Sequence, residues 1–207
     1  MAVPSTTRST AAFGAAFPQV LDAARADAPW AYQRLFEWLG RPVAGYLRGQ
    51  GAQDPDGTAN EVFLRVFTNL HRFDGNEAAF RSWVFTIAHH QLADERRRLR
   101  RRPPVAGEVP PELAGPACTE TEALARLGSS RVSLLLDELS PDQREVLLLR
   151  VVADLTIEQV AEALGKSTGA VKQLQRRALG ALRRRLGAQD QEGMAQWADV
   201  APVVAGR

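Results

Sequence analysis

Apolar residues recur three and four positions apart from Pro29 to about Arg102, and again from Thr119 to about Gly187. That is the period of helices that bury one face. In the first block Val62, Phe63, Val66, Phe67 and Leu70 make one stripe. Phe80, Trp83, Val84 and Ile87 make a second, at offsets of zero, three, four and seven. Upstream, Phe36-Glu37-Trp38-Leu39 leads through Pro42 to Tyr46-Leu47, and Asp54-Pro55-Asp56 opens a helix with acids near the positive end of its dipole. No stretch alternates apolar and polar residues over a useful strand length, and no internal repeat is visible. The pattern predicts an all-α protein.

The second block is punctuated more sharply. Ser140 can cap a helix, Pro141 suits its first position, and Gln143 sits where a capping box closes. Val146, Leu147, Leu149 and Val151 follow as its apolar residues, and Asp154-Leu155 breaks the run. Thr156 caps again with Gln159 three residues on, and Ile157, Val160, Ala161 and Leu164 share a face. Gly165 fits the left-handed position that ends a helix. Ser167 can cap the next, in which Val171, Leu174, Ala178 and Leu182 lie on one side. A short helix, a tight turn with glycine and a longer helix make a helix-turn-helix, whose second helix enters the major groove N-terminus first. Lys172, Gln173, Arg176 and Arg177 face outward near that start. Lys and Arg can donate to guanine, Gln can pair with adenine, and Thr168 with the free amides can hold a phosphate. An ordinary three-helix bundle with a basic outer face is the alternative.

Between the blocks the pattern stops. Pro103, Pro104, Pro110, Pro111 and Pro116 are joined by Gly107 and Gly115, with Glu108 and Glu112 and no basic residue. Proline removes a backbone donor and clashes with the preceding turn, so 103–118 is predicted as an extended acidic linker. Residues 1–26 are Ala-, Ser- and Thr-rich and are expected to fray; 188–207 is expected to be a loose tail or short helix. The expected architecture is two small helical domains, 27–102 and 119–187, joined by the Pro-rich linker.

Composition adds exclusions. The chain has 207 residues, 45% hydrophobic and 24% charged, as in a folded globular protein. No apolar run is long enough to span a membrane, and the N-terminus lacks the apolar core of a signal peptide. Cys118 is the single cysteine, so neither an internal disulfide nor a cysteine zinc site is expected, and a reducing cytoplasm is the simplest compartment. The net charge of +2 is small, but its distribution is uneven. Arg96, Arg97, Arg98, Arg100, Arg101 and Arg102 crowd one segment, and Arg183, Arg184 and Arg185 another, while Lys166 and Lys172 are the only lysines. A guanidinium matches a phosphate bidentately, so two such clusters point to nucleic acid. A solvated helix end favoured by the dipole is the alternative for either cluster alone. In the helix carrying Phe80 and Trp83, most apolar residues are expected in the core; Arg81, Phe85, His89 and His90 lie off that stripe and are candidates for contact. Neighbouring helical residues point about 100° apart, so His89 and His90 are poorly placed to chelate one ion, and His71 is isolated. No metal, cofactor, Gly-rich phosphate loop or catalytic triad is indicated, and the chain is not expected to be an enzyme.

The stretch from Leu139 to Arg150 and the following "LTIEQVAEALGKSTGAVKQLQRRALGALRRRL" resemble the fourth conserved region of sigma factors. "NEVFLRVFTNLHRF" and "DGNEAAFRSWVFTIAHHQLADERRRLRRRP" resemble the second region. The order of the two, with no larger domain between, resembles the extracytoplasmic-function group of the sigma-70 family. The resemblance implies a factor that binds core RNA polymerase, at its clamp coiled coil and flap, and directs initiation at promoter DNA. It implies −35 contacts at Thr168, Lys172, Gln173, Arg176 and Arg177. It implies −10 contacts at Phe73, Asp74, Asn76, Arg81, Trp83, His89, His90, Arg96 and Arg97, and polymerase docking at Asp56, Asn60, Glu61, Phe63 and Leu64. An anti-sigma factor as regulator is a further family expectation. The sequence departs from the family at Gly57, where an acid is usual, and at Asn60, where glutamine is. A stand-alone helix-turn-helix regulator is the main rival; an interaction protein that mimics a DNA-binding surface is another, which the basic recognition helix disfavours.

Overall fold

The computed structural model of the chain describes residues 13–101 and 132–200, so the linker predicted at 103–118 and Cys118 lie outside the described residues. All regular elements among those described are helical. A 3-10 turn at Gly14–Ala16 runs into α1 (Phe17–Arg25), followed by α2 (Pro29–Gly49), α3 (Pro55–Thr68), a second 3-10 turn (Leu70–Arg72) and α4 (Glu77–Arg101). Beyond residue 131 come α5, described over 132–137, then α6 (Pro141–Val151), α7 (Ile157–Leu164) and α8 (Thr168–Val200). The described residues divide into two compact units, one of 13–101 with 148–171 and one of 132–147 with 172–200. Residues 148–171, expected with the second block, thus group with the first.

In the first unit α4 is clasped by α2 and α3. Leu35, Val43, Tyr46, Leu47, Val62, Val66, Phe80, Val84 and Phe85 are buried in the core. Trp38 stacks on Phe80 at 6.2 Å and 13°, and Tyr46 meets Phe85 edge-on at 5.7 Å. Each such side chain removed from water contributes about 1.5–3 kcal/mol. The buried set on α4 is Phe80, Val84, Phe85, Ala88, Gln91 and Leu92. It is rotated from the predicted stripe, so Trp83 and Ile87 are half-buried and Phe85 is inside. Phe85 is therefore a packing residue, not the contact residue expected.

Three further readings are corrected. Within the segment 1–26 expected to fray, residues 17–25 form α1: Phe17, Val20, Leu21 and Ala24 are all buried, at offsets of zero, three, four and seven. Val151, counted among the apolar residues of α6, is 71% exposed, while Val146, Leu147, Leu148 and Leu149 are buried. At the other end α8 continues to Val200, past the expected limit near Gly187. No proline intervenes before Pro202, and the residues between are compatible with a continuing helix.

The predicted caps are formed. Thr156 Oγ1 accepts from Gln159 N at 3.2 Å while Gln159 Oε1 accepts from Thr156 N at 2.9 Å. Ser140 and Gln143 make the same reciprocal pair at 3.4 and 3.2 Å. Gly165 is left-handed at φ 61°, and Lys166 N returns to the Ala161 carbonyl at 2.9 Å. Ser167 Oγ accepts from Ala170 N at 3.2 Å, and Asp54 Oδ1 from Gly57 N at 2.9 Å.

Candidate nucleic-acid interface

The loop between the second 3-10 turn and α4 is where polar groups gather in the first unit. Asp74, Gly75 and Asn76 are exposed, and Asn76 Oδ1 caps α4 by accepting from Ala79 N at 2.9 Å. Phe73 is 8% exposed. Its ring lies 5.2 Å from Phe80, edge-on, and stacks on Trp83 at 5.1 Å and 25°. It anchors the loop rather than presenting a face to solvent. Arg81 is half-buried, over the Trp38 ring at 5.2 Å and paired with Asp154 at 3.2 Å.

Two clefts flank this loop and helix. One, of about 650 Å³, is lined among others by Arg25, Asp74, Asn76, Glu77, Arg81 and Gln159; Gln159 Nε2 donates to the Ala78 carbonyl at 3.2 Å. The other, of about 330 Å³, is lined by Arg65, Asn69, Arg72, Trp83, Ile87 and His90. An aromatic ring beside guanidinium groups suits a base and its phosphate. Sequence reasoning missed Arg25, Arg65, Asn69 and Arg72. The signal for two of them was present: Arg65 and Asn69 are four apart on α3 and so share a face.

Further along α4, His89 and His90 have ring centroids 5.5 Å apart. No group of three or more His, Cys, Asp or Glu among the described residues could hold a metal ion. The arginines at the helix end are not equivalent. Arg96 donates to the Gln50 carbonyl and, at 3.3 Å, to Gln50 Oε1, so its guanidinium is turned into the fold. Arg97 is exposed and pairs with Asp94 at 3.2 Å, and Arg98, Arg100 and Arg101 are exposed.

On α8, Lys172, Gln173, Arg176 and Arg177 are all exposed, whereas Val171 and Ala178 are buried and Leu174 and Leu182 half-buried. Thr168 is exposed at the helix start. The outward face is therefore basic over its first turns. Arg185 pairs with Glu138 at 3.8 Å, while Arg183 and Arg184 are exposed.

The residues expected to dock on polymerase lie on α3. Asp56 is exposed and 3.4 Å from Arg48, Asn60 is exposed, and Glu61 accepts from the buried Gln91 amide. Leu64 is 69% exposed, but Phe63 is 2% exposed, packed 4.8 Å from Phe36 and 5.6 Å from Phe67. Phe36, itself 40% exposed, and Arg48 line a cleft with Asp56 and Asn60 and were not singled out from the sequence. A Cβ at Gly57 would lie 2.1 Å from Asp54 Oδ2. The glycine that departs from the family thus leaves room for the Asp54 cap. No helix among the described residues is long and apolar enough to cross a membrane.

Comparison with known proteins bears on both blocks. Residues 29–102 match the family Sigma-70 region 2, and residues 135–184 match Sigma-70, region 4. The ECF RNA polymerase sigma factor SigD of Mycobacterium tuberculosis is 38% identical over 132 residues, covering 62% of this chain and 61% of SigD. The chain thus spans about three fifths of that relative's length. The ECF RNA polymerase sigma factor ShbA of Streptomyces griseus is 35% identical over 144 residues, 66% of this chain and 74% of ShbA. Among solved structures, CnrH in complex with the cytosolic domain of CnrY superposes with a TM-score of 0.61 at 25% identity, covering 84% of this chain and 98% of that one.

Proposed function

This chain belongs to the extracytoplasmic-function group of the sigma-70 family, and from that premise we propose that it binds core RNA polymerase and directs it to promoters carrying −10 and −35 elements. The observation that carries this reading is the presence of both conserved regions, in order, in one chain. A stand-alone regulator with a helix-turn-helix needs the second alone.

The first domain, 27–102, receives a −10 base flipped from the non-template strand. Unstacking and unpairing it costs a few kcal/mol; stacking returns about 1–3 kcal/mol per base, and cations on the backbone add to that. Asp74 and Asn76 supply polar edges, Trp83, His89 and His90 the flanking surface, and Arg97 with the exposed arginines after it the phosphate contacts. The second conserved region, within 119–187, reads the −35 duplex through Lys172, Gln173, Arg176 and Arg177, with Thr168 at a phosphate. Asp56, Asn60, Glu61 and Leu64 dock on the clamp, with Phe63 supporting them from the core. The linker at 103–118 passes through the polymerase cleft. The chain performs no chemistry and works where polymerase does, in the cytoplasm. CnrH is seen with the cytosolic domain of CnrY; a protein partner is extended to this chain, and the family expectation is an anti-sigma factor.

The test is purification with core polymerase and run-off transcription on a genomic library. Discrete starts sharing two spaced elements are expected. A chain that ignores core polymerase overturns the reading.

A further inference from the structure

We propose that the 3-10 turn Gly14–Ala16 and α1 form a brace that holds loop 73–76 in its base-receiving shape, with Arg25 and Glu77 as positioning residues. The proposal rests on the −10 role given to that loop above. The brace lies wholly outside residues 29–102, the part matched to the family.

Both ends of the loop are tied to it. At the first end, Arg25 Nη2 donates to the Phe73 carbonyl across 48 residues of sequence. Arg25 Nη1 meets Asp22 Oδ1 at 3.3 Å, which orients the guanidinium fork. At the second end, Glu77 opens α4 and turns its carboxylate back to the N-terminus. Its Oε2 accepts from Gly14 N at 2.8 Å and its Oε1 from Phe13 N at 3.2 Å. Amides at the start of a helical turn have no partner within it, so the carboxylate satisfies donors that would otherwise need water.

Between the ties stand Asp74, Gly75 and Asn76, all exposed. Gly75 is at φ +155°, and a Cβ there would come within 3.0 Å of Ala79 Cβ and 3.1 Å of the Phe73 ring. The loop is therefore drawn tightly over its own anchor. The brace is itself fixed, because Phe17 is buried 5.6 Å from Phe80 and 6.2 Å from Trp38, and Phe13 meets Trp38 edge-on at 5.0 Å. Arg25 and Glu77 also line the 650 Å³ cleft beside the loop. A loop cut from these ties samples more backbone states, and the cost of ordering it then falls on base capture. Docking through α3 and −35 reading through α8 do not bear that cost.

The experiment uses the full chain assembled with core polymerase, on the strongest promoter from genomic run-off. Each template is paired with one carrying an abasic site in the non-template −10 strand. Wild type is expected to prefer the intact template. Arg25→Ala is expected to lower that preference roughly tenfold, about the effect of leaving one residue to be ordered on binding. Core affinity and dependence on an intact −35 element should hold within about twofold, as for independent sites. Arg25→Lys keeps one donor for the Phe73 carbonyl and should recover most of the preference. Amide exchange at 74–79 should quicken in Arg25→Ala and in Glu77→Ala. An unchanged preference in Arg25→Ala overturns the proposal. So does an equal loss of core affinity, −35 use and −10 preference, which would mark general destabilisation. If wild type itself ignores the abasic site, the −10 role of the loop fails first and the brace has nothing to position.

Discussion

Arg176 and Arg177 stand exposed on the basic face of α8, and Phe85 and Phe63 are sealed in the core; at the scale of single residues these separate contact from packing. Replacing both arginines with Ala removes up to two phosphate or base contacts. The slope of log affinity against log salt should fall by about 0.9 for each phosphate lost, and run-off transcription should lose its dependence on the −35 element. Phe85→Ala leaves a cavity against Tyr46 and should cost about 3–5 kcal/mol in urea unfolding. A stable Phe85→Ala protein with weakened DNA capture would return Phe85 to the contact surface. Leu64 and Phe63 make a sharper pair, adjacent in sequence but 69% and 2% exposed. Leu64→Asp should keep its circular dichroism spectrum and lose core-polymerase binding, whereas Phe63→Asp should lose the fold, because an unpaired carboxylate cannot be buried cheaply. Equal unfolding of both would remove Leu64 from the docking face.

At the scale of elements, what could be read beforehand was whatever has a local cause. The Thr156–Gln159 box, the Ser140–Gln143 pair, the Asp54 cap and the left-handed Gly165 each depend on residues within a few positions of one another. Thr156→Ala should therefore cost about 1 kcal/mol in thermal or urea unfolding; no measurable change would mean the cap is replaced by water at no loss. What was not legible depends on neighbours. The offsets of Phe17, Val20, Leu21 and Ala24 were a complete helical stripe, yet an Ala-rich context concealed it, and only the rings of Trp38 and Phe80 show what the stripe is for. On α4 the stripe from Phe80 to Ile87 was correctly helical but misplaced around the axis. A central helix touched by both α2 and α3 buries a wider arc than one apolar face, so Phe85 goes inside and Trp83 moves to the edge. The site shows the same division. The outward face of α8 followed from periodicity alone, while the turning of Arg96 onto Gln50 joins positions 46 apart and has no local signature.

For the molecule as a whole the proposed function raises the question of why a chain with two proposed DNA-reading surfaces would need a polymerase at all. Each surface is small. The proposed −35 face is a few exposed side chains on α8, and the proposed −10 loop offers Asp74, Gly75 and Asn76, all exposed. Specific protein–DNA complexes bury about 1,000–2,500 Å² of protein surface, and flipped-base capture further requires DNA that has been opened. Fixing both on one scaffold turns the second contact into an intramolecular event, which raises affinity without a new interaction. The net charge of +2 is small, but the clustered arginines are expected to give the free chain an electrostatic hold on any duplex. That hold should be of the non-specific kind, with dissociation constants of roughly 10⁻⁴–10⁻⁶ M near physiological salt and a steep loss from 50 to 200 mM. Fluorescence anisotropy with promoter and scrambled duplexes measures it directly. Near-equal affinity for the two without core polymerase, and preference for the promoter once core is added, is the expected pair of results. Tight, salt-tolerant and sequence-specific binding by the free chain would mean that α8 needs no scaffold, and the rival reading as a stand-alone regulator would gain at the expense of the one proposed.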